Sequence, residues 1–156
     1  MADTIRFEFI AQENVVYEDD VNMVVAPGAS GVLGILPKHA PLMTVVEPGE
    51  VVVKKEGQED IHFAVGGGFM EVRPDKVTLL ARSGESADEI DLQRAEEARR
   101  KAQEFLETGV PSTEERRRLM EQALRRSNVR IKIARRRRSK PRPASPTPGI
   151  GGEESD

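Results

Sequence analysis

Ile90, Asp91, Arg94 and Ala95, taken together with Arg126 and Arg130, are the residues whose types and spacing suit chemistry with a ligand. Arg126 and Arg130 stand four apart, so on a helix they share a face. If the segment before them lies antiparallel to that helix, Arg94 near its start approaches the pair. Several guanidiniums at one point favour a phosphate, whose oxygens match their bidentate forks. The same residues admit a plainer account: Asp91 caps a helix, Ile90 precedes it as a hydrophobic staple, and the arginines form a solvated or partner-facing surface. Catalysis has no comparable group. The chain holds two histidines, His39 and His62, and no cysteine. Disulfides, thiolate metal sites and cysteine nucleophiles are therefore excluded, and neither catalytic residues nor a metal site are expected. His39, between Pro37 and Pro41, reads as a structural or contact residue, and His62, near Asp60, as an exposed strand position. Gly66 to Gly68 would cradle a phosphate only with a helix opening directly behind it. Phe69 to Val72 continue as a strand instead, which points to a bulge or a close strand crossing.

The elements that must position these residues divide at about residue 87. Before it the apolar residues alternate: Ile5, Phe7 and Phe9; Val51 and Val53; Ile61, Phe63 and Val65; Val77 and Leu79. Period two with turn signals at Glu18–Asp20, Pro27–Gly28, Pro37, Pro48–Gly49, Glu56–Gly57 and Pro74–Asp75 predicts short antiparallel strands in a β-sandwich over 1–86. The glycine- and proline-rich stretch from Gly31 to Val51 is expected to supply three of those strands. After residue 87 the spacing becomes helical. Leu92, Ala95, Ala98, Ala102, Phe105 and Leu106 form one narrow stripe that ends before Thr108-Gly109-Val110-Pro111. A capping box at Ser112 and Glu115 is expected to open a second helix with Leu119, Met120, Ala123, Leu124 and Ile131 on its apolar side. The short loop makes the pair an antiparallel helical hairpin over 87–134. Residues 135–156, rich in Arg, Pro, Ser and Gly, are expected to form a disordered tail.

Charge divides at nearly the same place. Residues 1–90 carry 16 acids and 7 bases, net −9, and residues 91–156 carry 11 acids and 17 bases, net +6, together giving −3. The two modules face different partners, or each other. An acidic β domain with a basic arm and an Arg135–Arg138 run also allows a nucleic-acid-binding reading, against which stands the scarcity of aromatics for base stacking. No apolar run approaches the ~18 residues of a membrane-spanning helix, and no export signal is expected.

The segments VAPGASGVLGILPKHAPL, EPGEV, GGFMEV and IDLQRA, spread over residues 3–134, resemble the epsilon subunit of F-type ATP synthases. The resemblance implies a β-sandwich followed by a helical hairpin, in a central-stalk subunit with no catalytic site of its own. It implies that the sandwich holds the gamma subunit and touches the c-ring through Gly31, Val32, Gly34, Lys38 and His39. Val32 stands where the family often has an acid. Ile90, Asp91 and Arg94, with Arg126 and Arg130, match the family's regulatory ATP site, and Ser127 falls where Ala is common. Arg116, Arg117, Arg118 and Arg125 resemble the arginines that meet the beta subunit, beside alpha, when the hairpin extends and blocks hydrolysis. No cofactor is required and no nucleic acid is implied. Membrane association is expected only through the complex, at the cytoplasmic face of the cell membrane. The tail has no counterpart, and its arginines, Arg135 to Arg142, are expected to favour the extended state by attraction to an acidic head.

Overall fold

The computed structural model describes residues 3–109 and 111–139, so most of the expected tail, 140–156, lies outside the described residues. Alternation sets one side of each strand against the core, and eight strands result: β1 (Ile5–Ala11), β2 (Asn14–Val21), β3 (Met23–Gly28), β4 (Gly31–Ile35), β5 (Leu42–Lys54), β6 (Ile61–Val72), β7 (Lys76–Ala81) and β8 (Gly84–Ser86). Their order is β2-β1-β7-β6-β5-β3-β4, with β8 on β6. The sheet folds over a core of Ile5, Phe7, Phe9, Phe63, Met70, Leu79 and several valines. Phe9 meets Phe63 edge-on with ring centroids 5.5 Å apart, the favoured geometry for aromatic pairs. Pairing is antiparallel except between β1 and β7, which run parallel with Phe7 opposite Val77. β7 reaches β1 only after β2 to β6 have intervened in the chain, and period-two alternation carries no information about that direction.

Two expected turns are corrected. Pro48–Gly49 does not separate strands but lies within β5, opposite Gly66 and Val65. Proline is tolerated there because the β3–β5 ladder is interrupted: Val25 pairs with Val52 and Gly28 with Val46, leaving no β3 partner that needs the missing N–H. Glu18–Asp20 likewise belong to β2. The chain turns earlier, at Gln12 and Glu13, which adopt φ of 51° and 66° without a glycine to announce it. Gly66 to Gly68 do continue a strand. β6 changes partner there, pairing with β8 through Val65 and with β7 from Gly68 onward. Gly67 has φ +93°, and a Cβ on Gly68 would stand 2.0 Å from the Leu80 carbonyl oxygen, so the close crossing requires glycine.

A 3₁₀ turn (Ala87–Glu89) leads to α1 (Leu92–Glu107) and α2 (Glu114–Ser139). Asp91 caps α1, its Oδ1 accepting from the Arg94 backbone N–H at 3.0 Å. Gly109, with φ +62°, follows its end. The cap of α2 is Thr113 rather than Ser112: Thr113 Oγ1 accepts from the Arg116 N–H at 3.2 Å. Ser is intrinsically the better cap, so the loop after Pro111, not cap preference, makes the choice. α2 also continues past the expected end at Ala134, through Arg135–Ser139. Its last-turn arginines suit the negative end of the helix dipole. The helices lie against each other, and Ile133 and Ala134 of α2 pack on Ala64 of β6 with Ala87 and Ile90. This small apolar joint fixes the hairpin on the sandwich.

Candidate functional site

Beside that joint the hairpin and the β6–β8 edge enclose a cavity of about 490 Å³. Arg94 reaches it from α1, and Arg126 and Arg130 from α2, so the three arginines selected from the sequence line one space. The small residues Ala98 and Ala123 form part of its wall, which keeps the space open between the helices. Gly66 lets α2 approach, since a Cβ there would lie 2.1 Å from Ser83 Oγ and 3.3 Å from Arg126 Cδ. Ile90 and Asp91 are not among the residues that line the cavity: Ile90 is buried in the apolar joint and Asp91 caps the first turn of α1. The structure shows Asp91 in its capping role, which sets the backbone that presents Arg94.

One carboxylate enters the cavity, Glu85, paired with Arg130. Arg94 and Arg126 have no carboxylate partner within ion-pair distance among the described residues, leaving an excess of positive charge in a partly enclosed space suited to a polyphosphate. Ser127 also lines it; the hydroxyl donates to the Ala123 carbonyl at 2.9 Å and keeps its own oxygen as an acceptor. Glu85 was not among the residues selected from the sequence, and Ser127 was noted only for standing where Ala is common. Ser127 sits between two chosen arginines, whereas Glu85 reaches the site from a strand with no local signal.

The remaining candidate residues lie elsewhere. Gly31, Val32 and Gly34 belong to β4, and Val32 is 74% exposed. Lys38 takes φ +64° in the following loop, donates its N–H to the Pro74 carbonyl at 2.9 Å and pairs with Asp3 at 3.3 Å. His39 Nδ1 lies 2.7 Å from the Ala40 carbonyl, a turn-holding role. Arg116, Arg117, Arg118 and Arg125 are exposed on α2, with Arg116 over the Phe105 ring at 5.2 Å and Arg117 near Glu121 at 3.6 Å. His62 is not the exposed position expected; it is mostly buried and hydrogen-bonded to Glu50. A surface absent from the sequence reading also emerges. Val45 opposes Phe69, Phe69 opposes Leu80, and all three are exposed, forming an apolar row across β5, β6 and β7 with Met43 on the same side of β5.

No cluster suited to a metal ion occurs among the described residues. The nucleic-acid reading gains no support, since Arg130, Arg135, Arg136 and Arg137 of the basic arm are paired with Glu85, Glu96, Glu50 and Asp88.

Residues 4–87 match the family described as "ATP synthase, Delta/Epsilon chain, beta-sandwich domain", and residues 88–135 the one described as "ATP synthase, Delta/Epsilon chain, long alpha-helix domain". The ATP synthase epsilon chain of Herpetosiphon aurantiacus is 46% identical over 136 residues, 87% of this chain and 98% of that one. That of Dehalococcoides mccartyi is 42% identical over 141 residues, 88% and 96% of the two chains. A chain from the Euglena gracilis mitochondrial ATP synthase, solved as OSCP/F1/c-ring, shares the fold with TM-score 0.68 at 22% identity, over 80% of this chain and 78% of that one. A chain from the Tetrahymena thermophila mitochondrial ATP synthase central stalk and c-ring does so with TM-score 0.56 at 12% identity, over 83% and 96%.

Proposed function

Because the chain belongs to the ATP synthase delta/epsilon chain family, we propose that its two halves divide the work of a central-stalk subunit: the sandwich seats on the rotor while the hairpin senses nucleotide and brakes hydrolysis. The protein is an epsilon chain, a subunit of ATP synthase rather than an enzyme by itself. Sequence kinship of this kind fixes the complex it serves, and the chain's own surfaces suggest how.

The convergence of Arg94, Arg126 and Arg130 on one cavity carries the nucleotide reading. ATP would lie between hairpin and sandwich with its phosphates on the arginines. A cavity walled by both halves exists only while the hairpin is folded down, so ATP binds that state and not an extended one. Such differential affinity shifts the population toward the folded form and lifts the brake. In the extended state the exposed arginines Arg116, Arg117, Arg118 and Arg125 would meet an acidic surface of the beta subunit, beside alpha.

For the rotor, Val32 and the row Val45–Phe69–Leu80 offer apolar surface to the gamma subunit, and Gly31, Gly34, Lys38 and His39 form the end that faces the c-ring. No helix among the described residues is long and apolar enough to cross a membrane. Association with the cytoplasmic face of the cell membrane would then run through the complex.

Calorimetric titration of the full chain with ATP tests the nucleotide reading. Saturable binding is expected, weakened tenfold or more by Arg94→Ala and by Arg126→Ala, about 1.4 kcal/mol for each lost charged contact. Absence of binding at millimolar ATP would sink it and leave the stalk role untouched.

A further inference from the structure

We propose that Arg135, Arg136 and Arg137 form an electrostatic clasp that keeps the end of α2 folded down without nucleotide, Arg136 tying it to the sandwich and its two neighbours to α1 and the linker. This rests on the reading that the hairpin can leave the sandwich. Consecutive helical residues point about 100° apart, so three arginines in a row cannot share one partner. Each finds its own. Arg135 Nη2 reaches Glu96 Oε1 of α1 at 2.7 Å, Arg136 pairs with Glu50 of β5, and Arg137 Nε reaches Asp88 Oδ1 of the 3₁₀ turn at 2.8 Å, with Glu59 of the β5–β6 loop at 3.8 Å from Nη1. One turn of helix is thereby tied to the partner helix, the sheet, the linker and a loop.

Several features argue that these pairs act on closure rather than decorate it. They flank the apolar joint of Ile133 and Ala134 on Ala64, Ala87 and Ile90; Arg135–Glu96 and Arg137–Asp88 are solvent-exposed and salt-sensitive, whereas the Glu50 end of the Arg136 pair is largely covered. The Glu50 side chain is only 20% exposed and bridges Arg136 and His62; opening the hairpin strips the guanidinium from a carboxylate that is largely covered in the closed state. The run from Arg135 to Arg138 would repel itself in a free helix, so its last turn and its carboxylate partners stabilise each other. The pairing is also opposite in direction to the sequence expectation, in which these arginines favour extension. The match to the family's helix domain ends at 135, so Arg136 and Arg137 lie just beyond it.

The chain has no cysteine, so cysteines introduced at the exposed residues Glu56 and Lys132 can carry a donor–acceptor dye pair that reports closure in the full chain. In low salt and without ATP, Arg135→Gln/Arg136→Gln/Arg137→Gln is expected to lower the closed-to-open ratio about five- to thirtyfold, and high salt should bring the parent toward the variant. Exchanging one pair, Asp88→Arg with Arg137→Asp, should hold the hairpin more closed than either single change, which misfolding would not do. Ile133→Asp, which breaks the apolar joint, gives the open reference. If Ile133→Asp opens the hairpin and the triple variant does not, the clasp is overturned. If neither opens, the moving-hairpin reading falls and takes the clasp with it. An opened triple variant whose parent ignores ATP supports the clasp and removes the nucleotide reading alone.

Discussion

Tyr17 shows how much a single side chain reports about its surroundings. It leans on Phe7 and Phe63, with ring centroids at 6.1 and 5.3 Å, and its hydroxyl lies 3.4 Å from Asp19 Oδ2. Burial, and then the Asp19 charge, push its pKa up from 10.0 to about 12. Because folding keeps the phenol protonated, its contribution to stability is whole below pH 10 and is lost as pH rises toward 12. As the sole tyrosine, it can be followed by absorbance: a midpoint near 12 in the native protein and near 10 in denaturant is expected, and a native midpoint near 10 would contradict this packing. Phe63 carries a larger share of the core. Phe63→Ala should cost about 3–5 kcal/mol in denaturant unfolding, because it removes a fully packed ring from the Phe7–Phe9–Tyr17 cluster. Alternation made Phe63 recognisable as a core residue, whereas the Tyr17–Asp19 pairing needed β2 to run through residues read as a turn.

The hairpin gains its definition from its ends. Asp91→Ala removes the cap of α1 and should cost about 1 kcal/mol of helix stability, seen as an earlier loss of helical signal in denaturant. At the other end, burial would raise the pKa of Glu50, but Arg136 and His62 outweigh it and hold the carboxylate below its ordinary 4.5. A carboxylate depressed by folding gives stability that is present above its unfolded pKa and lost as pH falls through the folded value. Hairpin closure should therefore hold from neutral pH to about 4.5 and weaken below it, read with the dye pair at Glu56 and Lys132. Glu50→Gln should remove that acid-side loss and lower closure at neutral pH. The cap was legible because an Asp before an apolar-periodic segment acts locally. The last turn of α2 was not, since an arginine run has good helix propensity but repels itself, and only distant carboxylates tip that balance.

Across the whole molecule, two surfaces of opposite character follow from one arrangement: an apolar row on the outside of the sandwich and a charged seam under the hairpin. Phe69→Glu puts charge into the row where Phe69 is 60% exposed, so the melting temperature should change little while co-purification with the gamma subunit falls. Retained co-purification would place the rotor contact elsewhere. The sequence alone determined the two modules, the capped first helix and the three arginines, because alternation, helical spacing and capping act over a few residues. Only the tertiary structure decided the parallel β1–β7 pair, the passage of β5 through Pro48–Gly49, the row Val45–Phe69–Leu80, and the partners of Glu50, Glu85 and Asp88. Each of these depends on which distant strand or helix lies alongside, and that is fixed by burial of the whole core rather than by any local pattern.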